Sequence, residues 1–294
     1  MLGGYLQSEA AMRRMTIKSE IEFCGIGIHS GEFAKVRLVP STRPAEALQT
    51  GIIFLRDGVA IPAHLAFVSS SRRCVVLSSN GVSISTVEHL LAALWAFGIT
   101  DVHIHVDGPE VPIGEGDAMH WVRLLNEAGV LELPYERELI RIAEPIKVCG
   151  VREGSYALAV PSDKLCVHYT FKHERPFIGT QVFSSCDLRG SFASEIAPAR
   201  TFGFVEEIEE LRRAGLGCGG SLQNCLVVFH DGYSAPLRFE NELVRHKVLD
   251  LLGDLALLGV ELIAQIEVCM GGHDLHLQLM RHIWERVMRD ENGA

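Results

Sequence analysis

The chain has 294 residues, is 48% hydrophobic and 22% charged, and carries a formal net charge of −10 at neutral pH. That length admits one large or two ordinary domains with sizeable cores, and the acidic balance argues against a general nucleic-acid binder, which presents a basic face. No run approaches the ~18 apolar residues of a spanning helix, and residues 1–14 lack the ~7–15-residue apolar core of a secretory signal.

Met15 offers a second start, so residues 1–14 read as a disordered N-terminal extension. The segment Gly25-Ile-Gly-Ile-His29-Ser-Gly31 has the wrong spacing for a dinucleotide fingerprint and reads as a strand–turn–strand corner. Lys35–Val39, Gly51–Leu55 and Cys74–Leu77 have strand character, with Gly, Pro and Ser between them. A helix is expected over Thr86–Phe97, from Val87, Leu90, Leu91 and Leu94. Ser85 and Glu88 fit the S-x-x-E capping box, which would account for Glu88 without chemistry but leaves His89 unexplained. Asp101–Val106 reads as a strand that turns Val102, Ile104 and Val106 to the core and His103 and His105 to solvent.

A Gly- and Pro-rich loop follows over Asp107–Asp117, and Trp121, Leu124 and Leu125 restore a helical period across Ala118–Ala128. Leu131–Glu138, containing Pro134, is the expected hinge between a first domain, 15–134, and a second, 139–294. In the second, strands are expected at Leu139–Val148, Ser155–Val160 and Leu165–Phe171, and helices at Phe204–Ala214 and Glu240–Leu258. Gly217-Cys-Gly-Gly-Ser221 is either a plain turn or backbone held near a ligand. No residue-level repeat links the halves, and the residues alone support mixed α and β. The eight cysteines are scattered without a C-x-x-C pair, the pattern of reduced thiols in a cytosolic protein.

The chemistry concentrates in Arg245–Asp254. At about 100° per residue, Asp250 lies about 40° round the helix from His246 and Asp254 about 80°. Most neighbouring positions are apolar, so the helix is buried, and unpaired charge there costs several kcal/mol, roughly. A His–Asp hydrogen bond in a core would satisfy the pair; so would a cation. Glu88-His89 alters the balance. His89, His246 and Asp250 make a three-ligand set with a fourth position for water, and Glu88 is placed to take a proton from that water. No H-E-x-x-H occurs. His103/His105 and His273/His276 are competing pairs, the latter only if that stretch is helical.

Six ordered motifs carry a resemblance over nearly the whole chain: Ser-Thr-Val-Glu88-His89-Leu, Gly-Pro-Glu110-Val-Pro-Ile, Ala-Arg-Thr201-Phe202-Gly-Phe, Arg238-Phe-Glu, Val-Arg-His246-Lys247-Val-Leu-Asp250 with Gly253-Asp254, and Gly272-His273. The chain resembles the UDP-3-O-acyl-N-acetylglucosamine deacetylases, the zinc amidases of the committed step in lipid A synthesis. The resemblance implies an α+β fold of two similar domains, with helices packed between two sheets in a β-α-α-β sandwich. It implies one catalytic Zn2+ (or Fe2+ in the cell) on His89, His246 and Asp250, with Glu88 as general base. It gives His273 as the protonated imidazole serving the leaving amine, Asp254 as its carboxylate partner and Thr201 as a hydroxyl polarising the amide oxygen. Lys247 would reach substrate phosphates and Phe202 would stack near the sugar-nucleotide. The implied partner is a UDP-linked acylated glucosamine; no nucleic acid and no transmembrane segment are expected, and the implied setting is cytoplasmic with transient membrane-surface contact.

The chain departs from the family in places. A cysteine that some members carry near the site is replaced by Val75 or Val76, beside Cys74. Phe171-Lys-His173-Glu-Arg-Pro176 has two extra residues before its proline, and His276 stands where the family often has an Asn-type residue. Two other classes compete: a sugar-nucleotide-binding protein with a structural metal, which would need a closed four-ligand site, and a phosphoryl-transfer enzyme, which would need a phosphate loop absent here.

Overall fold

The computed structural model describes residues 12–41 and 50–292, so most of the expected extension lies outside it. Period-two burial builds the first sheet: in β3 (Phe33–Pro40), Ala34, Val36 and Leu38 are buried, while Phe33, Lys35 and Arg37 face out. With β1 (Arg13–Ile17), β2 (Ile21–Ile26), β4 (Gly51–Arg56) and β5 (Val59–Pro62) come β6 (Val68–Ser70), β7 (Val76–Ser79), β8 (Val82–Ser85), helix α1 (Glu88–Ala96), β9 (Asp101–Val106), α2 (Met119–Ala128) and β10 (Val130–Glu136). The main sheet runs β2-β3-β9-β4-β5, and β6-β7-β8 forms a small sheet beside it.

The second half continues with β11 (Leu139–Arg141), β12 (Ile146–Cys149), β13 (Tyr156–Val160), β14 (Cys166–Lys172), β15 (Thr180–Ser185), α3 (Leu188–Ser191), β16 (Phe202–Phe204), α4 (Ile208–Arg213), β17 (Leu226–Val228), α5 (Glu242–Ala256), β18 (Glu261–Ile263), β19 (Gln265–Cys269) and α6 (His273–Asn292). Its main sheet, β12-β13-β19-β14-β15, repeats the first topologically: both pair antiparallel, antiparallel, parallel and antiparallel across the order. In each half a helix precedes the central strand and another follows it, so α1 corresponds to α5 and α2 to α6. The halves are repeats in backbone path although no residue pattern showed it, as the α+β sandwich requires.

Helix α1 is buried at eight of its nine positions and α5 at twelve of fifteen, because the two pack on each other between the sheets. Leu90, Leu91 and Leu94 join Leu249, Leu252, Leu255 and Ile266 in one core.

Several expectations are corrected. Most of the expected hinge, Leu131–Glu138, is strand: Leu131–Glu136 lies within β10, which pairs antiparallel with β1, and the register slips between Arg13 and Met15, where Pro134 falls opposite. A proline that cannot donate is accommodated at such a slip. Arg13 and Arg14, assigned to the extension, belong to β1, where Arg14 forms a buried pair with Asp101 at 2.8 Å. The link between halves reduces to residues 137–138, held by Arg137 on Glu261 at 2.6 Å. The expected strand Leu139–Val148 is two strands, with Pro145 between them. Phe204 ends β16 rather than opening a helix, which begins as a 3-10 turn over Val205–Glu207. Cys166 and Cys186 are bonded, because the β14–β15 register sets them opposite each other, while the other six cysteines are free. Thiols reduced throughout were expected.

Candidate active site

The site forms where the start of α1 meets the middle of α5. Gly253 makes that approach possible: a Cβ there would overlap the Glu88 carbonyl oxygen. Just before α1, Thr86 has φ +57°, a left-handed conformation costly for a β-branched residue. Glu110 holds it. This fully buried carboxylate accepts from Thr86 Oγ1 at 2.6 Å, His29 N at 3.0 Å and Ser30 N at 2.7 Å, pinning the glycine corner to the turn that launches α1. Gly219 N then donates to Ile28 O and Cys218 N to His29 O, so the Gly217–Ser221 loop of the second half clasps that corner.

The capping box is not formed. Ser85 ends β8 and donates to Pro109 O at 3.2 Å, while Glu88 opens the helix and accepts from Val75 N at 3.1 Å through Oε2. Glu88 Oε1 is left facing His273 Nε2 at 3.7 Å.

His89, His246 and Asp250 each offer a ligand atom within 4.8 Å of the others, all buried. His89 Nε2 lies 3.8 Å and His246 Nε2 3.4 Å from Asp250 Oδ1. These separations are too long for hydrogen bonds and close to the about 3.3 Å edge of a tetrahedron with zinc–ligand bonds near 2.0–2.1 Å. The protonation states suit a cation. Burial, aided by His246, pushes His89 down to about 3, and burial likewise lowers His246. Burial opposes the charge on Asp250, but Lys247 and the surrounding imidazoles hold it well below the ordinary carboxylate value. His246 Nδ1 donates to Ala199 O at 3.1 Å, leaving Nε2 with its lone pair, the usual support for a ligating imidazole.

A second buried group adjoins the first. Asp254 Oδ2 accepts from His273 Nδ1 and His276 Nδ1, each at 2.8 Å, and His276 Nε2 meets Tyr169 Oη at 2.9 Å. The stretch is helical, but these rings turn onto a carboxylate and not onto a shared open point. Burial disfavours a charged His273, yet Asp254, Asp250 and the hydrogen bond to Asp254 outweigh it and raise the imidazole to about 9. Burial pushes Glu88 up to about 7; His273 opposes the rise while Asp250 and Asp254 add to it.

Thr201 is fixed by its own backbone, N to Gly116 O at 2.7 Å and O from Leu226 N at 2.9 Å. Phe202 sets its ring edge-on to His246 at 6.0 Å, and Lys247 Nζ lies 5.5 Å over that ring and 2.8 Å from Asp250 Oδ2. His103 and His105 stay apart, half-buried on the far face of the first sheet. Sequence reasoning missed Glu110 as an organiser, although its Gly-Pro-Glu motif was visible, and missed the packing role of Gly253, although Gly253-Asp254 stood among the motifs and a glycine inside a leucine-rich helix is itself a signal.

The family model for UDP-3-O-acyl N-acetylglycosamine deacetylase matches residues 14–285. Among curated relatives, the UDP-3-O-acyl-N-acetylglucosamine deacetylase of Nautilia profundicola is 38% identical over 276 residues, covering 92% of each chain. That of Sulfurimonas denitrificans is 39% identical, covering 91% of this chain and 90% of its own. That of Nostoc sp. is 38% identical, covering 92% and 98%. With motifs, topology and nearly full-length similarity in agreement, the chain belongs to the UDP-3-O-acyl-N-acetylglucosamine deacetylase family.

Proposed function

We propose that this deacetylase hydrolyses the N-acetyl amide of UDP-3-O-[(3R)-3-hydroxyacyl]-N-acetylglucosamine, releasing acetate, at one zinc ion held by His89, His246 and Asp250, with iron as the alternative occupant. The observation that carries the reading is the donor set: two neutral imidazoles whose Nε2 atoms stand 3.8 and 3.4 Å from one carboxylate oxygen, too far for hydrogen bonds, with all three ligand atoms within 4.8 Å of one another. Bound there, the ion supplies Lewis acidity toward the amide carbonyl and toward water.

Glu88, not needed as a ligand, takes the water's proton, and a carboxylate titrating near 7 is matched to that task. His273 enters protonated. Its Nδ1 rests on Asp254 and its Nε2 faces Glu88, so the proton available to the leaving amine is on the side of the base. Thr201 supports the amide oxygen, and Phe202 offers a face to the sugar-nucleotide. Lys247, now on Asp250, must swing from it to meet a phosphate. No helix among the described residues is long and apolar enough to cross a membrane. A cytoplasmic setting with transient membrane-surface contact is part of the same proposal and rests on the family and its acylated substrate.

The test is acetate release from the UDP-linked substrate before and after exhaustive chelation, then after zinc is restored. Loss and recovery are expected. Full activity in metal-free protein would overturn the proposal.

A further inference from the structure

Asp254 has no exposed surface and bears two imidazoles, where one would suffice to orient a general acid. His273 Nδ1 straddles the carboxylate, 2.8 Å from Oδ2 and 3.0 Å from Oδ1. A donor centred between both oxygens does little to fix the carboxylate plane, and the terminal torsion of an aspartate is soft. His276 approaches Oδ2 alone, from one helical turn further along α6, and so selects one torsion.

The tautomer of His276 follows from its surroundings. Its ring is fully buried and burial disfavours its charge, so it is neutral and carries one N–H. A carboxylate can only accept, which puts that proton on Nδ1; Nε2 then accepts from Tyr169 Oη, which is also fully buried. The result is a chain in which each member orients the next: Tyr169 to His276, His276 to Asp254, and Asp254 to His273.

We infer that His276, backed by Tyr169, is a positioning residue that locks the Asp254 carboxylate and thereby holds His273 Nε2 toward the reacting atoms. The inference rests on the role proposed for His273 as proton donor. It predicts an effect on turnover and none on metal binding, since neither His276 nor Tyr169 belongs to the ligand set.

The test compares His276→Asn, His276→Leu, His276→Gln and Tyr169→Phe in the zinc-loaded enzyme, with His273→Ala alongside, reading kcat, KM and metal content. The amide nitrogen of Asn branches from Cγ as Nδ1 does, so Asn keeps the donor to Asp254 while giving up Tyr169. Leu removes both bonds at similar volume, and Gln extends its amide past the Nδ1 position. His276→Leu should lower kcat about 10–100-fold, the range for groups that orient a functional side chain, with KM and zinc content near parental. His276→Asn should recover most of the loss, and Tyr169→Phe should cost less than His276→Leu. If the Leu variant does not fold, the Asn–Gln pair carries the comparison, with Gln the slower enzyme.

Equal kcat loss in Asn and Gln, parental kcat in Leu, or a loss confined to KM or to metal content would overturn the inference. Parental kcat in His273→Ala would instead remove the reading beneath it, so the two failures are distinguishable.

Discussion

Helix α5 contributes to two buried groups of identical composition, each two histidines and one aspartate with all ligand atoms within 4.8 Å. In His89–His246–Asp250 the imidazole nitrogens stand 3.8 and 3.4 Å from the carboxylate oxygen. In Asp254–His273–His276 both nitrogens stand 2.8 Å from it. In the first arrangement the imidazole nitrogens stand off the carboxylate, and His246 keeps its Nε2 lone pair free; in the second the donors are already spent on an acceptor. Residue types cannot tell a metal cradle from an orienting relay, in which each group positions the next and no proton passes between them. Distances and outer hydrogen bonds can: His246 turns its N–H outward to Ala199 O, whereas His273 and His276 turn theirs inward to Asp254.

Glu88 faces the relay without joining the cradle, so its removal separates the two groups most widely. Glu88→Ala should lose about 10²-fold or more in turnover as general bases do, while retaining zinc. A parental rate, or metal loss in step with activity, would merge the two roles.

The pH profile separates the groups next. With the roles proposed for Glu88 as base and His273 as acid, kcat/KM should rise through about 7 as Glu88 loses its proton and fall through about 9 as His273 loses its own. His273→Ala should flatten the basic limb and leave the acidic one. An unchanged basic limb would move the acid role away from the relay.

Gly253→Ala should act unequally on the two groups. The added methyl pushes against the Glu88 backbone and separates α1 from α5, costing about 1–3 kcal/mol for overpacking. The cradle is split across those helices, so zinc affinity should fall; the relay lies on α5 and α6 and should persist. Unfolding midpoints together with zinc titration check this, and unchanged zinc affinity would mean the helices do not need that approach.

Much of the cradle was legible in the sequence because helical spacing is local: His246, Asp250 and Asp254 declare a common edge within nine residues, and Glu88-His89 declares the next helix. The relay was half legible. Asp254 was visible in helical spacing and its pairing with His273 came from the resemblance, but Tyr169 and the role of His276 depend on the placement of β14 and α6, which no local pattern encodes. For the same reason the capping box misled: Ser85 and Glu88 satisfy the motif, yet a left-handed Thr86, held by Glu110 from a distant loop, turns the chain between them. The repeated sheet order was equally hidden, since a shared backbone path requires only alternating burial and not shared residues.

Metal stoichiometry in paired aspartate variants tests the division most directly. Purified parent, Asp250→Ala and Asp254→Ala should be loaded with zinc, freed of excess and measured for bound metal and turnover. One zinc per parent chain is expected, with strong metal loss in Asp250→Ala and nearly full zinc with depressed turnover in Asp254→Ala. Equal metal loss in both variants, or none in either, would contradict that division.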